Sequence, residues 1–293
     1  SMKENQAPQF PARPRTELFY KLLMFTAAIT GMALLSSFYP IYGNVPFIVI
    51  PSVLTILFAK PVFFEKLKLT TLVVMRLLVV AAALRLFDPN IYVDLILVAL
   101  IVNILEATFT DLFRHKKIWN GISGLALALG VFALHGSWIP DGSAPFGMDY
   151  YLVGGPGAVT VLYIIGYTLW NWIFVTDEFS PSVSLMHVGF LSAPIIGCIC
   201  TLGMGPMGGF TMWLLLRANS LSIGGWMQIA AKDWFERGFY HERFDRFVTW
   251  TKGRNVQIAC MIINLALIAA CIVLMMQNGG ITFEFAPLAA PGK

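Results

Sequence analysis

The chain has 293 residues, of which 57% are hydrophobic and 12% charged, with a mean hydropathy of +0.72. Soluble domains carry about 25% charged residues, so this composition excludes a water-soluble globular protein and points to a multi-pass membrane protein. The net charge of +4 is spread through loops between apolar runs, a pattern that argues against nucleic acid as a partner.

In chain order, residues 1–16 form a polar tail. A membrane-crossing helix needs roughly 20 mostly apolar residues, and backbone groups in lipid must be satisfied internally. The pattern predicts helical spans at 18–39, 45–60, 69–87, 91–113, 118–135, 156–175, 182–203, 205–224 and 256–276. The second is the shortest, because Pro46 and Pro51 cut into it and Lys60-Pro61 ends it. No cleavable leader is expected, since the first apolar run is long enough to span. The expected organisation is a tail (1–16), a bundle of eight spans (17–224), an amphipathic segment (225–254), a final span (255–277) and a tail on the opposite side (278–293).

Charge fixes the orientation. With the N-terminus inside, 16 of the 20 Lys and Arg residues fall in cytoplasmic segments or at the inner ends of spans, three lie deeper within spans, and only Lys293 lies outside. Thr176-Asp177-Glu178 is the exception, an inside connection with acids and no base. Segment 225–254 mixes Trp226, Trp234, Phe235, Phe239, Tyr240, Phe244 and Trp250 with charges of both signs. It reads as an amphipathic helix or helical pair on the inner membrane surface. The fold class is therefore an all-α polytopic transmembrane bundle of about nine spans.

Ionisable residues inside spans are costly, by about 2.5 to 3.5 kcal/mol on insertion scales, and so mark candidate sites. Counted from the inner ends of the expected spans, Arg76 and Glu106 lie at one depth, roughly 10 Å in. They form one expected pair, and Arg85 with Asp94 forms another nearer the outer interface. Asn103, Asn171, His187 and Arg217 fall near the same level. The six residues Arg76, Asn103, Glu106, Asn171, His187 and Arg217 are the predicted substrate-binding set. Each also has a plainer reading as an interhelical hydrogen bond or local ion pair. The stripe Tyr163, Tyr167, Trp170, Asn171 and Phe174 lines one helix face, as a packing surface or a cavity wall.

Gly203-Met-Gly205-Pro-Met-Gly208 matches a dinucleotide fingerprint by letter, but it joins two apolar runs and has no preceding strand. Gly205 and Gly209 read instead as small residues for close helix approach, and Gly154-Gly155-Pro156-Gly157 as an entry to the sixth span. The four cysteines suggest neither a disulfide framework nor a zinc site. His115 and His241 lack ligand-spaced sequence partners, so no metal site is expected, and the cofactor is left unknown.

The run Asn103-Ile-Leu-Glu106-Ala107, continuing through Asp111 and Arg114 to Asn120 and Gly121, resembles a bacterial family of multi-spanning membrane proteins of unassigned activity. The Tyr167–Phe174 stretch is similar too. The resemblance covers about a tenth of the chain and implies a multi-pass protein of a bacterial inner (plasma) membrane. The leading functional expectation is a permease or channel-like carrier for a small polar or anionic solute, in contact with membrane lipid. The alternatives are a membrane-embedded enzyme acting on a lipid or isoprenoid, and a non-catalytic subunit of a homo-oligomer or membrane complex docking through 225–254.

Overall fold

The computed structural model describes residues 11–84, 86–134, 137–140, 150–153, 157–204 and 208–277. The Arg85–Asp94 pair, the Gly154–Pro156 entry, Gly205 and the 278–293 tail lie outside them in whole or in part. The structure is a helical bundle with one short antiparallel hairpin.

Helix α1 (Arg15–Phe38) follows Pro14 and stops before Pro40, which cannot continue a helix that needs its N–H. Pro40 then opens α2 (Pro40–Phe58), where its fixed φ suits a first helical position. Here the expectation is revised: Pro46 and Pro51 do not shorten this span. The helix passes through a π-helical turn at Val45–Val49 and runs on. Pro51 brings no N–H to the Phe47 carbonyl four residues back, and that oxygen accepts the Trp226 indole N–H at 2.9 Å. The break comes at Lys60, in the left-handed region with φ 46°.

Helix α3 (Phe63–Ala83) starts six residues before the expected span, with Glu65 accepting from the Val62 N–H at 3.2 Å. Helix α4 (Pro89–Thr110) ends in a π-helical turn, Asp111–His115, closed by Lys116 at φ 58°. Helix α5 (Ile118–Leu129) passes into a 3-10 turn, Gly130–Leu134. Strands β1 (Ser137–Pro140) and β2 (Tyr150–Val153) form the hairpin before α6 (Gly157–Glu178). Helix α7 (Pro181–Cys200) opens on a Ser180 cap, whose hydroxyl accepts from the Val183 N–H, with Pro181 at the first position.

A 3-10 turn (Gly209–Met212) leads into α8 (Trp213–Ala230), which ends six residues past the expected span. The amphipathic segment accordingly begins later, as two helices, α9 (Lys232–Gly238) and α10 (Glu242–Thr251). Helix α11 (Arg254–Gln277) closes the described chain.

Among the described residues six helices are long and apolar enough to cross a membrane: α1, α2, α4, α6, α7 and α11. Met24, Phe58, Phe64 and Leu129 are 72% to 79% exposed, as expected where the outer surface meets lipid rather than water. Helices α3 to α8 contact one another in cyclic order, with α3 meeting α8 to complete a ring. Helix α1 packs on α7 and α8, α2 on α1, α3 and α8, and α11 on α5 and α6. Tyr163, Tyr167, Trp170 and Trp213 are fully buried within this ring.

Close approach in the ring depends on Gly124. A Cβ there would collide with the Thr108 hydroxyl and come within 2.9 Å of the Trp170 indole nitrogen, so only glycine lets α5 seat against α4 and α6.

Segments expected on one side of the membrane meet at one end of the bundle. Arg13 donates its N–H to the Tyr240 carbonyl and its guanidinium to that of Arg237. Lys117 Nζ donates to the Lys252 carbonyl at 3.2 Å. This basic end carries the helical pair α9–α10.

Candidate functional site

The predicted polar residues divide into two levels. Because α3 begins at Phe63, Arg76 lies thirteen residues from its basic end, about 20 Å at 1.5 Å per residue. Arg217 lies thirteen residues from Ala230, at the same depth, because α8 also runs further than expected. Glu106 is nine residues from His115, about 14 Å in, and His187 six from Pro181, about 9 Å. Arg76 and Glu106 are therefore not level, and among the described residues no ion pair joins them. The shift comes from helix starts and ends that lie in polar sequence, where apolar content alone stops counting.

At the deep level, Arg76 is buried and donates through Nη1 to Asn219 Oδ1. Asn219 Nδ2 donates to Ser37 Oγ at 2.9 Å, and Ser37 to the Ala33 carbonyl at 2.7 Å. Three elements, α3, α8 and α1, are thus tied through one buried guanidinium. Arg217 faces the other way round α8. Its Nε donates to the Tyr167 hydroxyl and its Nη1 to the Phe190 carbonyl, both at 3.4 Å, and its guanidinium carbon sits 5.7 Å from the Tyr167 ring centre. The aromatic stripe of α6 is therefore partly a cation-binding wall.

At the shallow level, His187 bonds Gln228 Oε1 through Nε2 at 2.9 Å and stacks on Phe179 at 5.0 Å. Glu106 is exposed, Asn103 half-buried and Asn171 buried. Lys68, which the sequence placed in a loop, lies in the first turns of α3 and is exposed. It feels the charges of Glu106, Arg217 and Glu178, while His187 feels those of Arg217 and Lys68. Ionisable groups on α3, α4, α6, α7 and α8 are therefore close enough to influence one another electrostatically.

A second cluster adjoins these groups. Asp111, fully buried in the π turn of α4, accepts from Asn120 Nδ2 through Oδ2 at 2.7 Å. Its Oδ1 lies 2.7 Å from His115 Nδ1, and the other ring nitrogen lies 2.6 Å from Glu178 Oε2. Arg114 pairs with the remaining Glu178 oxygen. Nearby, Asp177 accepts from Gln257 Nε2 at 3.1 Å and lies 3.9 Å from Lys117 Nζ.

This arrangement explains the acids without a base. Asp177 and Glu178 take their cations from the α4–α5 connection, a neighbour in space that sequence order hides. It also revises the isolation of His115, whose partners are Asp111 at i−4 and Glu178 from another helix. Asp111, His115 and Asp177 bring ligand atoms within 4.8 Å of one another. Yet each of those atoms already faces a donor or a hydrogen-bonding partner, so the arrangement favours a closed hydrogen-bond network over a vacant cation site.

Chemically, His115 with a carboxylate on each nitrogen is a proton-sharing unit. A π turn in a helix often marks such a site, because its extra residue re-aims the side chains that follow. The chain matches no family model, no curated protein and no solved structure.

Proposed function

We propose that this chain is a multi-pass permease for a small polar or anionic solute, and that the solute enters through a crevice among Lys68, Glu106, Glu178, His187 and Arg217. The observation that supports the reading is that five helices of one closed ring each contribute a charged or ionisable group that influences others of the set electrostatically. Interacting charges at membrane depth are costly unless water or a substrate solvates them. Arg217 and Lys68 supply attraction for an anionic group, and Glu106 balances them. The Asp111–His115–Glu178 chain offers a route for a proton coupled to solute movement.

In this reading the basic end is cytoplasmic, the N-terminus is inside, and nine segments span a bacterial inner membrane. The gathering at one end of the basic tail, the 114–117 turn and the α9–α10 pair supports that orientation.

The test is a thermal-shift screen of the purified protein against polar metabolites, followed by flux of each hit into proteoliposomes. Stabilisation lost in both Lys68→Ala and Glu106→Gln places the solute in the crevice. Hits that stabilise the wild type and both variants equally would remove the crevice from the function. Labelling of single cysteines at Lys116 and Lys252 from the cytoplasmic side only would support the orientation.

A further inference from the structure

A separate groove of about 380 Å³ lies at the basic end, where the first turns of α1 meet α7 and α10. Its floor is apolar, formed by Leu18, Leu185 and Phe244, and its rim carries Arg15, His241 and Arg243. None of Lys68, Glu106, Glu178, His187 and Arg217, the residues of the crevice proposed above, lines it.

The rim charges are uncompensated. Among the described residues neither Arg15 nor Arg243 has an ion-pair partner. Of the nearby acids, Glu17 is engaged by Lys21 at 2.8 Å and Glu242 by Arg246 at 3.4 Å, and Asp245 on α10 lies beyond ion-pair distance of both guanidinium groups. His241 caps α10 by accepting the Arg243 backbone N–H on Nδ1 at 3.1 Å, which leaves the proton of the neutral ring on Nε2 as a donor. Three donor side chains thus edge an apolar trough. Phe19 and Phe247, also lining it, are 62% and 46% exposed, a large apolar surface for a site at the level of lipid headgroups.

We propose that this groove binds an anionic phospholipid, its phosphate held by Arg15, Arg243 and His241 and the upper part of an acyl chain laid on Leu18, Leu185 and Phe244. The charge complementarity selects the occupant: two free guanidinium groups match phosphate oxygens bidentately, and the apolar floor has no use for a soluble anion. A bound lipid would also tie α10 to α1, two elements that face each other across the groove.

The experiment is native mass spectrometry of the full chain in neutral detergent. It is supplied in turn with dioleoylphosphatidylglycerol, dioleoylphosphatidylcholine and soluble glycerol 1-phosphate. The wild type retains phosphatidylglycerol in preference to phosphatidylcholine, and glycerol 1-phosphate does not displace it. Each basic residue at a membrane surface contributes about 1 kcal/mol, roughly fivefold, so Arg15→Ala with Arg243→Ala weakens retention by about twenty-five-fold. Arg246→Ala, a cation already paired elsewhere on α10, leaves retention unchanged, and Arg15→Lys with Arg243→Lys keeps most of it. Thermal unfolding of each variant confirms that the fold is intact. Equal retention of the two lipids, displacement by glycerol 1-phosphate, or full retention in the double alanine variant would overturn the proposal. None of these outcomes bears on the crevice, so the two readings fail separately.

Discussion

Arg76 on α3 and Asn219 on α8 are joined by a hydrogen bond between buried side chains 143 residues apart, and Asn219 hands the connection on to Ser37 of α1. This makes Arg76 a fastener of the ring. Asn219→Ala takes an acceptor from a buried guanidinium and a donor from Ser37, and is expected to destabilise the protein by about 1–3 kcal/mol. Replacing both partners, Arg76→Met with Asn219→Leu, costs less than the sum of the two single changes. Denaturant unfolding in detergent measures both; an Asn219→Ala protein as stable as wild type would remove the pair from the stability of the fold.

Glu106 is exposed, so its neutralisation separates function from folding. Glu106→Gln is expected to unfold within about 0.5 kcal/mol of wild type. Any solute-dependent stabilisation or flux is expected to disappear. A variant that transports normally would take Glu106 out of the mechanism.

His115 holds Asp111 and Glu178 together, and its loss leaves a fully buried carboxylate facing an emptied position. His115→Ala is expected to cost about 1–3 kcal/mol. A double-mutant cycle with Asp111→Asn is expected to give a coupling of about 0.5–3 kcal/mol, because each change already breaks the bond the other would break. Strictly additive losses would show that the two side chains act independently.

Two glycines give a matched comparison of packing. Gly124→Ala drives a methyl group against Thr108 and Trp170 and is expected to destabilise by about 1–3 kcal/mol. Gly31→Ala, with nothing within 4 Å of the new carbon, is expected to be neutral or stabilising by up to about 1 kcal/mol. The difference in unfolding temperature between the two variants is the measurement, and equal temperatures would contradict the seating of α5 against α4 and α6.

Much of the architecture was legible because lipid imposes a length and a composition on every crossing segment. Among the described residues each of the nine apolar runs overlaps a helix, six of them helices long and apolar enough to cross a membrane, and 225–254 runs from the end of α8 into the helical pair its mixed aromatic and charged content suggested. Boundaries were less legible, since α3 and α8 each continue six residues into sequence whose polarity resembles a loop. That displacement separated Arg76 from Glu106 and put Arg76 level with Asn219. Arg217 and His187 were found as ionisable residues inside apolar runs, although their partners, a Tyr167 hydroxyl and Gln228, were not. Asp111, His115 and Glu178 went unassembled because their bonds cross between helices. The signals that pointed to them were the acids without a base at 177–178 and the dense polar run from Asp111 to Asn120.

Tyr167 and Trp213 meet edge to face at 5.0 Å, with Arg217 resting on the tyrosine. On the permease reading proposed above, a solute drawn inward by that guanidinium would meet these packed rings next, and its onward passage would need α6 and α8 to part where the tyrosine meets the tryptophan.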